Sequence, residues 1–136
     1  MYKFSKRSLT HLKSCVPDLQ VLFQEVLLYR DCTVLEGHRN KEDQNNAYLN
    51  KKSQLRWPNG NHNQMPSNAI DVIKYPIDWE DNVGNCYFSG FVMGIAQILL
   101  QQGEISHTIR WGGDFNMNNE VKDGSFLDLV HFEIVA

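Results

Sequence analysis

Five side chains of this sequence could together carry out a hydrolysis: Arg39, His62, Asp71, Asp128 and His131. A hydrolytic zinc ion takes three protein ligands and keeps one open position for water, and neutral imidazole and carboxylate suit it. A general acid/base must stand beside that water. His62 and His131 offer the imidazoles and Asp71 a first carboxylate, while Asp128 and Glu133 flank His131 on either side. A planar guanidinium such as that of Arg39 can grip a carboxylate or carbonyl oxygen through two hydrogen bonds.

Spacing alone leaves other readings open. His62 could be a solvated loop histidine, and His131 a histidine satisfied by a hydrogen bond at the start of a strand. Asp71 is harder to explain away, because Ala69, Ile70, Val72 and Ile73 flank it. A carboxylate in such a place must be paired, protonated or bound to a metal. On a strand, His131 and Glu133 share a face, whereas Asp128 has the opposite parity. Asp128 therefore meets the same centre only if the chain bends between Asp128 and His131.

The elements that must position these groups can be read from periodicity. Pro17 opens an amphipathic helix to about Tyr29, with Leu19, Leu22, Phe23 and Val26 at helical spacing. Residues 32–35 read as a short strand. Gly37-His38-Arg39 reads as a turn, and Asn40 can cap a helix to about Leu49. Residues 50–68 are polar, contain Pro58, Gly60 and Pro66, and form a long loop of functional length around Trp57 and His62. Residues 69–73 read as a second strand. Then comes a long helix with Phe88, Phe91, Val92, Ile95 and Leu99 on one face, where Gly90 and Gly94 would admit another backbone. Residues 108–111 and 131–135 complete the strands. Helices before and between a few strands suggest α+β.

At 136 residues the chain fits one domain, residues 1–136. Its composition is 42% hydrophobic and 21% charged, which suits a packed globule rather than a disordered chain. The net charge of −3 and the scattered Lys3, Lys6, Arg7, Lys51, Lys52 and Arg56 argue against nucleic acid as a partner. Cys15, Cys32 and Cys86 are odd in number and lack C-x-x-C spacing, so buried free thiols are expected. The first residues lack the apolar core of a signal peptide. The most apolar run, residues 86–100, reads as a buried helix too short to span a bilayer comfortably, so no membrane insertion is expected.

The motifs around these residues resemble the M15 family of zinc peptidases, the group of D-alanyl-D-alanine carboxypeptidases and phage endolysins. Glu36-Gly37-His38-Arg39, with Gln44 and Tyr48, is similar to its early arginine motif. Trp57-Pro58-Asn59-Gly60-Asn61-His62, continuing to Pro66-Ser67-Asn68-Ala69-Ile70-Asp71, resembles its first metal motif. Ile77-Asp78-Trp79 and Ile109-Arg110-Trp111-Gly112-Gly113-Asp114 resemble further segments. Asp128-Leu129-Val130-His131-Phe132-Glu133 resembles its terminal motif.

The resemblance implies a small antiparallel sheet flanked by helices, of the Hedgehog/DD-peptidase type. It implies one zinc ion on His62, Asp71 and His131, with Asp128 as acid/base and Arg39 steadying substrate oxygens. The implied substrate is the stem peptide of peptidoglycan, cut at an L-alanyl-D-glutamate or D-alanyl-D-alanine type of bond. Gly60 stands where the better-known pattern has Ser, and the longer gap from His62 to Asp71 looks like that of a phage and prophage subgroup. A monomer is expected, made in the host cytoplasm without a signal peptide and acting on the wall after release. The competing reading is a non-catalytic wall-binding or virion module of the same fold; retention of Asp128 argues against it. Asp114, Asn116, Asn118 and Glu120 alternate as at the start of a calcium loop, but Asn119 stands where such loops want Gly.

Overall fold

The computed structural model describes residues 1–122 and 127–135. Its elements in chain order are helices α1 (Lys6–Lys13) and α2 (Pro17–Leu27), strand β1 (Cys32–Glu36), helix α3 (Lys41–Leu49), a 3₁₀ turn (Asn61–Asn63), strand β2 (Ala69–Lys74), helix α4 (Asn82–Gln101), and strands β3 (Thr108–Trp111) and β4 (His131–Val135). The four strands form one antiparallel sheet in the order β1-β2-β4-β3. The fold is α+β, as expected.

Local chemistry accounts for the helix starts. Pro17 occupies the first turn of α2, where its missing N–H costs nothing. Asn40 accepts the Asp43 N–H through its side chain, and Glu42 and Asp43 lie in the positive first turn of α3. The apolar faces of α2 and α4 then close over the sheet. Leu19, Leu22, Phe23 and Val26 are buried with Phe88, Val92, Ala96 and Leu99, against Ile70, Val72 and Phe132 of the central strands. Phe23 meets Phe132 edge-on at 5.3 Å, a favoured aromatic geometry.

Three expectations change. Helix α1 was not foreseen: Ser5 caps it by accepting the Ser8 N–H, and a short stripe containing Ser8 and Leu12 is buried. Helix α4 is 20 residues long, enough by length and composition to cross a membrane, yet one face packs into the core. Phe91 and Ile95 are only partly buried on it, and nothing lies within 4 Å of a side chain added at Gly90 or Gly94, so no backbone approaches there. Cys15 and Cys32 are buried free thiols, as read, and burial pushes both up to about 12; Cys86 is half-buried.

Candidate active site

The register of the sheet builds half of the site. Asp71 on β2 lies directly opposite His131 on β4, and Arg110 on β3 opposite Glu133 on β4. Opposed residues on antiparallel strands place their side chains on one face about 5 Å apart. An irregularity after Val34 brings Glu36 of β1 opposite Asp71 as well. The face away from the helices therefore carries a row of charged and imidazole groups.

His62 arrives from the long loop. Its ring nitrogen Nε2 lies 3.2 Å from Asp71 Oδ1 and 3.3 Å from His131 Nδ1, and His131 Nδ1 is 3.2 Å from the same oxygen. Three donors held at about 2.0–2.1 Å from a tetrahedral zinc would stand roughly 3.3–3.4 Å from one another. The other nitrogen of each ring is already used. His62 Nδ1 donates to the Gly37 carbonyl at 2.7 Å, and His131 Nε2 donates to Glu133 Oε1 at 2.6 Å. In the neutral rings the protons therefore sit on the outer nitrogens, and two lone pairs face a carboxylate oxygen. Such a convergence calls for a cation or an added proton at its centre, so the residues fit a metal. Among the described residues, these three form the group able to hold one.

Electrostatics point the same way. Burial works to raise the Asp71 pKa, but the hydrogen bonds and charge of His62 and His131 hold it well below the carboxylate range. Burial works to lower that of His131, yet Asp71 and Glu133 raise it to about 10. Asp71 and Glu133 thus favour positive charge at the point where the two rings meet. Glu133, despite burial, is lowered to about 2 by His131 and Arg110, which reaches it at 2.5 Å through Nη2 and 3.1 Å through Nε.

Asp128 lines the same cleft, which has a volume of about 780 Å³. The bend that the sequence demanded is a turn at Leu129-Val130, closed by the His131 N–H on the Asp128 carbonyl at 3.1 Å. The Asp128 N–H donates to Gly112, whose own N–H donates to His131. A side chain at Gly112 would stand 2.1 Å from the Asp128 carbonyl oxygen, so only glycine allows this approach. Burial first, and then the Asp71 charge, push the Asp128 carboxyl above the ordinary carboxylate range.

Arg39 stands at the other wall. Its Nη2 is 3.7 Å from Asp71 Oδ2, its Nε 3.5 Å from Glu36, and its Nη1 donates to Gln44 Oε1 at 3.1 Å. Gln44 is almost wholly buried. Its Oε1 also accepts from Asn63, next to His62, while its Nε2 donates to Ser53 Oγ at 2.9 Å and to the Leu55 carbonyl at 2.6 Å. One amide thus ties the arginine, the His62 turn and residues 53–55 into a single unit. The sequence placed Gln44 in the arginine motif without showing this junction, and it gave no sign that Arg110 would brace Glu133.

Helix α1 contributes from behind. Ser14 Oγ accepts the His38 N–H at 2.8 Å, and a side chain at Gly37 would stand 2.3 Å from the His11 carbonyl oxygen, so only glycine fits there. The Gly37 carbonyl that orients His62 is therefore set by a helix whose residues carry no chemistry. Trp57, in the same long loop as His62, meets the His38 ring edge-on, centroids 6.4 Å apart. In the loop read as a candidate calcium site, the carboxylate of Asp114 accepts the Asn118 and Asn119 N–H groups and Asn118 Oδ1 accepts that of Glu120, so these oxygens serve the loop itself.

The fold resembles the crystal structure of the L-Ala D-Glu endopeptidase ChiX of Serratia marcescens, with a TM-score of 0.68 over 99% of this chain and 90% of that one, at 19% identity. No curated protein sequence matches the chain. The family model described as phage L-alanyl-D-glutamate peptidase matches residues 1–135. A match over the whole described fold, on a chain whose acidic and imidazole groups gather in one cleft, places this protein in the phage L-alanyl-D-glutamate peptidase family, hydrolases acting on peptidoglycan.

Proposed function

We propose that this peptidase is a zinc enzyme of the endolysin type, with His62, Asp71 and His131 holding one zinc ion, Asp128 as acid/base and Arg39 as the cation for substrate oxygens. The carrying observation is the convergence of three lone-pair donors, one carboxylate oxygen and two imidazoles already fixed from behind by Gly37 and Glu133. Two imidazoles and one carboxylate suit zinc, whereas calcium and magnesium prefer oxygen alone. When bound, zinc supplies a Lewis acid and lowers the pKa of a coordinated water.

The chain's own groups do the rest. Asp128, with its proton affinity raised by burial and by Asp71, is suited to take a proton from the attacking water and pass it to the leaving amide nitrogen. Arg39, held by Gln44 and Glu36, offers a fixed donor to the oxygen on which negative charge develops. Glu133 and Arg110 keep the His131 ring from turning. The chain would act on the wall after release from the host cytoplasm, and would work as a monomer.

Metal analysis tests this reading. The purified protein should hold one zinc per chain, and chelation followed by zinc should remove and restore cleavage of a stem peptide. Full activity in the chelated protein would overturn the zinc assignment, as would restoration by calcium alone.

A further inference from the structure

We infer that Lys52 reads a free carboxylate of the substrate beside the scissile bond, and so sets a preference for the acidic over the amidated stem peptide. The inference rests on the peptidase reading above.

Three cations line the cleft: Arg39, Lys52 and Arg110. Arg39 is engaged by Glu36, Asp71 and Gln44, and Arg110 is held by Glu133. The ammonium of Lys52 has no hydrogen bond or ion pair among the described residues. The same cleft carries four carboxylates, Asp71, Asp114, Asp128 and Glu133. With zinc bound, the ion, Arg39 and Arg110 balance these four charges, so a further anion gains net attraction only from Lys52.

The backbone of Lys52 is also held in place. Lys51 takes a left-handed backbone conformation, φ 60°, that ends α3, and the Lys52 N–H donates to the Ala47 carbonyl at 2.8 Å. The next turn is fixed by the buried Gln44 through Ser53 and Leu55. The amide that holds Arg39 thus also holds the segment carrying Lys52.

The substrate supplies the matching anion. In an L-alanyl-D-glutamate stem the chain continues through the γ-carboxyl of D-glutamate, which leaves its α-carboxylate free on the carbon bonded to the scissile nitrogen. Amidation of that group to D-isoglutamine removes the charge and keeps the shape.

The test compares acetyl-L-Ala-γ-D-Glu-L-Lys amide, in which that α-carboxylate is the sole carboxylate, with its D-isoglutamine counterpart. The zinc-loaded wild-type chain, Lys52→Met and Lys52→Arg are assayed on both. An exposed charge pair predicts that wild type prefers the acid by roughly fivefold in kcat/KM. Lys52→Met should lose that preference with its zinc content unchanged, and Lys52→Arg should keep it. An unchanged preference in Lys52→Met, or none in wild type, would overturn the assignment. Cleavage of neither peptide by the zinc-bound wild type would instead bring down the peptidase reading, and Lys52's role with it.

Discussion

His62 Nε2 and His131 Nδ1 stand 3.3 Å apart although 69 residues separate them in the chain. The two rings meet at 70°, each pinned by an acceptor on its outer nitrogen, and Asp71 Oδ1 completes the triangle. Binding free energy at such a centre is shared among the ligands, so losing one should release the metal. His62→Ala or Asp71→Ala should bind zinc at least about tenfold more weakly, a loss of the size seen even for outer-shell partners. Competition with a chromogenic chelator measures it; wild-type affinity in both variants would remove them from the ligand set.

Asp128 should separate binding from turnover. Asp128→Asn keeps the size and the backbone turn but cannot take a proton. It should retain one zinc and lose about 10²–10⁴-fold in kcat, the usual contribution of general acid–base catalysis. Near-normal kcat in a zinc-bound variant would reassign the proton transfer.

Gln44 should matter to catalysis although it touches no reacting atom. Gln44→Leu leaves Arg39 Nη1 and Asn63 Nδ2 without their shared acceptor and frees residues 53–55. Stability should fall by about 1–3 kcal/mol, the cost of stranding buried polar groups. At a temperature where the variant is folded, kcat should fall while zinc content holds. A stability loss with unchanged kcat would reduce Gln44 to a purely structural role.

The pH dependence of stability has a source away from the site. Asp18 on α2 accepts the N–H groups of Ser106 and His107 and the His107 ring at 2.6 Å. Burial works to raise its carboxyl, but these partners together hold it below the ordinary value. A depressed carboxylate stabilises the fold above its unfolded pKa, near 3.9, and that stability is lost as pH falls through the folded pKa. Asp18→Asn should lower Tm by several degrees at neutral pH, about 1 kcal/mol for hydrogen bonds to a charged acceptor, and should narrow the gap to wild type as the solution is acidified below about pH 4. A gap that widens in acid would contradict the sign.

Much of the fold was legible because its signals are local. Pro17, the Asn40 cap and the alternation around Asp71 placed α2, α3 and β2 close to their observed ends. Helix α1 escaped because its buried stripe is short and rests partly on a serine, Ser8, which reads as surface but is buried, its Oγ accepting the Val34 N–H. The proposed ligands and acid were named from residue types and motif order, and the turn at Leu129-Val130 is the bend their parity required. What the sequence withheld was register and hub. Pairing Arg110 with Glu133 depends on which strands adjoin, and the junction at Gln44 depends on three segments meeting. Neither leaves a periodic trace.

The proposed function comes down to a metal-dependent cut between L-alanine and D-glutamate. The most direct measurement incubates the purified chain with soluble muropeptides, with zinc or with chelator, and weighs the products by mass spectrometry. Chelator-sensitive products are expected, with masses that correspond to a break after L-alanine. Intact muropeptides in the presence of a protein carrying one zinc, or cleavage at another bond, would contradict it.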